Sequence, residues 1–330
     1  MLQTVSELLN KKWTPSNVTE KLIHQKPIKT VLFDTYVKDK KGQIGANFTV
    51  KIKKGAGVIL ESVSPEAEHL IHDRDEIVEF EAKTARYALA NPITPEELDN
   101  IESFSNTDKP LSLAEEIGEI QREHKESFDT SLEFQTAGAL FNKVMDGAGK
   151  VLFELNYQGL TVEFKSGKPL RDSINEITRH IKNELGLQKV KISALCGPTF
   201  IDGIAALAKE ENLFETHQAK EIDKDGESAL IVHGMKFTEY IATYKNADGE
   251  EKEFIPEDEA VFLPEDSNIF KLRYSRANDT KAAKQRPKLY FGAAEELPKG
   301  RGWEVRSECR PLVYNSRPAA TPKGKFISTP

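Results

Sequence analysis

The chain has 330 residues, 38% hydrophobic and 30% charged, with a net charge of −7 and a mean hydropathy of −0.51. At roughly 150 residues per domain it predicts about two compact units with a substantial buried core. It excludes a bilayer span, since no apolar run approaches the roughly 20 residues required. It also excludes a secretory leader at MLQTVSELLNKKW and a globally basic nucleic-acid binder. Two cysteines, Cys196 and Cys309, are too few for a disulfide framework and read as free thiols in a reducing compartment. Basic residues gather in 271–288 and 299–325, either as a solvated face or as a local contact to a polyanion.

In chain order, residues 1–30 read as an extended arm with a short helix around Val5 to Leu9. Val31-Leu32-Phe33, Phe48-Thr49-Val50 and Val58-Ile59-Leu60 are short strand-like runs. KDKKGQIG and KKGAG between them read as lysine-rich turns of a projecting hairpin or loop. NPITPEEL starts a helix, with Thr94 as cap, Pro95 at the first position and Glu96-Glu97 in the first turn.

Ser112 and Glu115 then make a capping-box pattern. Apolar residues recur at Leu113, Ile117, Ile120, Phe128, Leu132, Ala137, Leu140, Phe141 and Val144, mostly in steps of three and four. The spacing predicts one long spine helix over 112–145, roughly 50 Å in length and ended by Gly147 and Gly149. VLFELNY, Gln158-Gly159 and LTVEF predict a hairpin. A helix over 170–185, the buried strand VKISALC, the turn Gly197-Pro198 and a helix from Thr199 to about Lys209 follow. ALIVHGMKFTEYIATYK gives two strands around Gly234-Met235, and Asp248-Gly249 turns a further hairpin. Pro256 and Pro264 bracket the strand EAVFL, and the last fourteen residues read as a tail. Helix, strand and helix followed by antiparallel strands is an α+β pattern.

The motifs propose no active site. Residues 246–266, NADGEEKEFIPEDEAVFLPED, hold nine acids and one lysine, which fits a metal site, an acid/base pair or a solvated face. Met145–Lys150 ends in Gly-Lys, but Val144 and Val151 stand where a phosphate loop needs Gly and Ser or Thr. His69 and His72 with Asp73 and Asp75 have a spacing open to a metal, and a solvated turn is the plainer reading. His124 reads as a partly buried structural residue on the long helix. No catalytic, cofactor-binding or metal residues and no cofactor are expected.

Four stretches in order resemble one family: Gln43 to Phe80; the spine helix with Gly149-Lys150 and the segment to Phe164; Gly234-Met235 through EYIATY, Asp248-Gly249 and Phe254-Ile255-Pro256-Glu257 to Leu263; and Arg310-Pro311-Leu312-Val313 with Arg317-Pro318-Ala319. They are similar to the Hong Kong 97-type fold of tailed-phage major capsid proteins, and within it to the lambda-type capsid protein E family. One departure is a lysine-rich loop where a proline-rich run is expected. The resemblance implies an N-terminal arm (1–30), an extended β loop region (31–95), a peripheral spine helix and hairpin (96–165), an axial domain (166–298), and a return to the peripheral domain with a C-terminal tail (299–330). It implies a non-enzymatic shell subunit in hexamers and pentamers of an icosahedral virion. Its expected partners are itself, a scaffolding protein, a portal and, in some relatives, a decoration protein. The shell encloses double-stranded DNA without sequence-specific binding, has no membrane contact, and assembles in the host cytoplasm. Two other readings stay open. One is a soluble α+β metal-dependent hydrolase using the 246–266 carboxylates, and the other is an encapsulin-like nanocompartment shell.

Overall fold

The computed structural model describes residues 31–54, 76–97, 109–155, 159–187, 189–224, 227–240, 243–245, 251–265 and 267–327. The expected arm, the strand at Val58-Ile59-Leu60, His69 and His72, and the turn at Asp248-Gly249 lie outside the described residues.

The first elements are α1 (Val31–Tyr36), β1 (Asp39–Gln43), β2 (Asn47–Lys54), β3 (Glu76–Lys83), β4 (Tyr87–Ile93) and α2 (Lys109–Leu140). Then come β5 (Lys143–Met145), β6 (Val151–Glu154), β7 (Thr161–Phe164), α3 (Leu170–Leu185), β8 (Ile192–Cys196) and α4 (Pro198–Glu210). The strands β9 (Ala219–Lys224), β10 (Glu227–Val232), β11 (Met235–Glu239), β12 (Thr243–Lys245), β13 (Glu251–Glu253) and β14 (Glu259–Pro264) follow. The last are β15 (Phe270–Ser275), β16 (Tyr290–Glu296), β17 (Trp303–Cys309), β18 (Pro311–Asn315) and β19 (Lys323–Phe326).

Two compact units divide the chain. The first takes the described residues of Met1–Phe48, Lys83–Thr136 and Lys271–Val313, and the second those of Thr49–Ala82, Ala137–Phe270 and Tyr314–Pro330. Residues 271–298 belong to the first unit.

In the first unit, α2 lays Leu113, Ile117 and Ile120 against Ile93, Ala294, Trp303 and Val305 of the three-stranded sheet β16-β17-β4. The helix begins at Lys109, before the expected cap at Ser112, and ends at Leu140 rather than at Gly147. Asn142 takes the left-handed conformation just beyond it (φ 60), which Asn tolerates better than most residues. Val144, expected on the helix, is buried in β5 instead.

Two other expectations are corrected in this unit. Val31-Leu32-Phe33 opens a short helix, not a strand. The amides of Leu32 and Phe33 donate to the Glu133 carboxylate at 2.8 and 2.9 Å, so a side chain of α2 satisfies donors that a helix start leaves open. The lysine-rich segment 39–43 is a strand rather than a turn, paired in parallel with β15 from Asp39↔Lys271 to Gln43↔Ser275. Its side chains stay largely exposed while its backbone makes the pairing. Gly42 is needed there, because a Cβ would stand 2.8 Å from the Tyr274 ring.

In the second unit, β2 and β3 form a two-stranded ribbon. The centre of the unit is a seven-stranded mixed sheet ordered β7-β19-β14-β8-β11-β10-β9. The helix α3 spans 170–185 as predicted and buries Ile174, Ile177 and Ile181, while Gly186 closes it at φ 66. The turn between β10 and β11 falls on His233 and Gly234, both at positive φ.

The expected hairpin over 151–164 does not form. β6 pairs back onto β5, and β7 joins the large sheet parallel to β19. The reason is packing: Phe153 of β6 meets Tyr314, whereas Phe164 of β7 meets Phe200 and Phe262. The last fourteen residues are not a tail, since β19 is an interior strand between β7 and β14.

Candidate functional site

The acidic stretch was the first candidate for chemistry. Its apolar positions Phe254, Ile255, Val261, Phe262 and Leu263 are buried, as the pattern predicts. Its loop Pro256–Glu259 lies on the N-terminus of α4. The Phe200 amide donates to the Glu257 carbonyl at 2.9 Å and the Gly197 amide to the Glu259 carbonyl at 3.0 Å. Glu257 also accepts from the Thr199 hydroxyl at 3.3 Å. These contacts satisfy donors that α4 leaves open, and no side chain of its own N-cap does so. Gly197 permits the approach, because a Cβ there would stand 2.2 Å from the Pro256 carbonyl oxygen.

The carboxylates diverge. Asp258 faces Lys325 at 3.4 Å, and Glu265 faces Lys191 at 2.6 Å on another element. No group of three or more potential ligands converges among the described residues. The described part of the stretch caps and frames a helix.

The remaining candidates resolve in the same direction. Asp146 closes the Met145–Lys150 turn by accepting from the amides of Ala148 and Lys150 at 3.0 and 2.9 Å. Amides that would cradle a phosphate are thus already held by a carboxylate. Cys196 and Cys309 are both buried, and burial pushes their thiols well above the ordinary range, away from nucleophilic use. His124 is buried on α2, with Nε2 donating to Asn91 at 3.0 Å and Nδ1 accepting from the Ser307 hydroxyl at 2.9 Å. Burial holds its pKa below the usual value.

One buried polar feature has no counterpart in the sequence reading. The Tyr290 hydroxyl donates to Asp129 at 2.5 Å, beneath the ring of Phe128. Burial raises the Asp129 carboxyl and the Tyr290 hydroxyl alike. Gln121, Lys125, Asp129 and Glu133, every fourth residue of α2, are all buried. The four-residue spacing beside the apolar stripe was the available signal. Asp129 ties the helix to β16 and Glu133 ties it to α1.

What the structure presents is an α+β subunit with a long helix, a seven-stranded sheet and a two-stranded ribbon, which is the fold of Hong Kong 97-like capsid proteins. A prophage capsid protein from E. coli CFT073 matches 99% of this chain and 100% of its own, with a TM-score of 0.58 at 11% identity. The cyanophage P-SCSP1u capsid gives 0.48 at 9% identity over 90% and 88% of the two chains. The mature capsid of bacteriophage PhiM1 gives 0.48 at 12% identity over 88% and 86%. No curated protein matches the chain in sequence. The phage major capsid protein E family matches residues 14–326, and the chain belongs to it. It is a major capsid protein, a structural virion component that self-assembles into a shell, and not an enzyme.

Proposed function

We propose that this subunit builds hexamers and pentamers of an icosahedral shell around packaged double-stranded DNA. The observation that carries this is the family match over residues 14–326 together with a fold shared along the whole chain. In this reading the first unit is the peripheral domain and the second, with its seven-stranded sheet, the axial domain. Residues 1–30 serve as the arm, and the β2–β3 ribbon is the base of the extended loop. The net charge of −7 suits a wall past which DNA slides without sequence-specific contact. No catalytic, metal or cofactor residues are assigned. A scaffolding protein, a portal and a decoration protein are the expected partners, with assembly in the host cytoplasm. Negative-stain microscopy of the purified chain, with and without its scaffold, should show closed shells. Only small monodisperse species under every condition would overturn the reading.

A further inference from the structure

The seven-stranded sheet presents an acidic loop at one end of β8 and a lysine-lined pocket at the other, each partly paired already, Asp258 with Lys325 and Lys191 with Glu265. At the C-terminal end of β8 stands the loop with Glu257 and Asp258, held to α4 by two backbone hydrogen bonds. At the N-terminal end of β8, a pocket of about 510 Å³ is lined by Lys182, Lys189, Lys191 and His233 over an apolar floor that includes Ile174 and Met235.

The pocket is neutralised only in part from within: Glu211 and Arg171 both lie within electrostatic reach of His233. Glu265 pairs with Lys191, but among the described residues neither Lys182 nor Lys189 has an ion-pair partner. The His233 Nε2 is buried without a hydrogen-bond partner, on a turn residue held at φ 48. A buried ring nitrogen left open on a strained turn calls for an entering group that pairs with it. The acidic loop of the same chain cannot be that group. The five residues of β8 at about 3.3 Å each put roughly 16 Å between the two ends.

A closed ring of identical subunits is held by heterologous contacts, in which one surface of each copy meets a different surface of the next. The two surfaces must be complementary, since like charges brought together are strongly unfavourable. We propose that within a capsomer the pocket at Lys182, Lys189 and His233 receives the Glu257–Asp258 loop of the neighbouring copy. This rests on the ring-forming shell reading above and names the partner surface. The loop is suited to the role because its backbone is already fixed, so little ordering cost remains on docking. Charge pairs at such a rim set orientation and association rate, and they weaken as salt rises.

Charge reversal in the full chain tests the pairing. Lys182→Glu with Lys189→Glu, and separately Glu257→Lys with Asp258→Lys, should each reduce capsomer and shell yield at low salt by more than about tenfold, read by sedimentation velocity and microscopy. The chain carrying both reversals should recover most of that yield. Each singly reversed chain assembling as well as the wild type would overturn the pairing and leave the shell reading intact. Loss in both without recovery in the combined chain would also overturn it. Normal shells with less DNA after lysine reversal would make the pocket a nucleic-acid contact instead and end the proposal. A wild-type chain that never assembles would overturn the shell reading itself.

A cysteine pair, Lys189→Cys with Glu257→Cys, gives a measurement that does not depend on the reversed chains folding. Mild oxidation of assembled particles should link neighbouring copies into a ladder of multimers, because within one chain the separation far exceeds the roughly 7 Å limit for a disulfide. Assembled particles that yield only monomer would overturn the proposal.

Discussion

In the second unit Phe164, Phe200, Phe237 and Phe262 are buried side by side, with ring centroids 5.2 to 6.1 Å apart in edge-on and stacked contacts. In the first unit the long helix buries Gln121, Lys125, Asp129 and Glu133 beside its apolar stripe. The aromatic core is held by area and shape, and any ring of suitable volume contributes. The polar seam is held by direction: each group needs a particular partner, and a missing partner leaves an uncompensated charge or dipole. The first kind of core gives a domain strength. The second fixes one helix register against one sheet and couples it to pH.

Three changes probe that contrast, in decreasing size. Phe262→Ala should cost about 3–5 kcal/mol, as removal of a fully buried ring generally does. Hydrogen exchange should then quicken in β8 and β14 while β17 stays protected. Equal loss of protection in β17 would mean that the two cores open as one, and the contrast would fall. Tyr290→Phe should cost about 1–3 kcal/mol in urea unfolding, because Asp129 loses its donor in a buried place. Adding Asp129→Leu should recover much of that loss, since an apolar pair leaves nothing unsatisfied. A single-variant cost near zero would show that the seam contributes no stability.

The smallest effect is the pH response. Burial lowers the His124 pKa in the folded chain, so the unfolded chain takes up the proton first. The stability from neutral His124 is therefore present above its ordinary 6.5 and is lost as pH falls below it. Asp129 works the other way. Its carboxyl is raised by burial, so acidification through that raised value relieves a cost, fully so below 3.8. His124→Gln should flatten the fall in Tm as pH drops below 6.5. Equal slopes for variant and wild type would exclude His124 as the source.

The helices α3 and α4 were the legible part of this chain. The spacing of Ile174, Ile177 and Ile181 located α3 to the residue, and Gly197-Pro198 marked the start of α4. The apolar positions of the acidic stretch were equally clear, because alternation and bracketing prolines are local signals. Strand partners were not. Nothing local distinguishes β6 pairing with β5 from β6 pairing with β7, because that choice is made by Phe153 and Phe164 reaching different rings. β19, KGKF, carries almost no apolar signal. Its Gly324 is wedged among Phe262, Phe200 and Phe164, where a Cβ would stand 2.9 to 3.1 Å from all three rings. The proposed docking surfaces lie at two strand ends, and only the pairing register brings those ends into view.

The place of β19 also sets an order of events during synthesis. Its neighbours β7 and β14 are complete once residue 264 has left the ribosome, yet they do not pair with each other; the slot between them is filled only when 323–326 emerge. Until then the edges of β7 and β14 stay open, with Phe164 and Phe262 uncovered by Gly324. An open strand edge beside aromatic rings is the kind of surface that pairs with the wrong chain. The subunit therefore becomes safe to meet its own copies only once β19 has filled the slot and the seven-stranded sheet is closed.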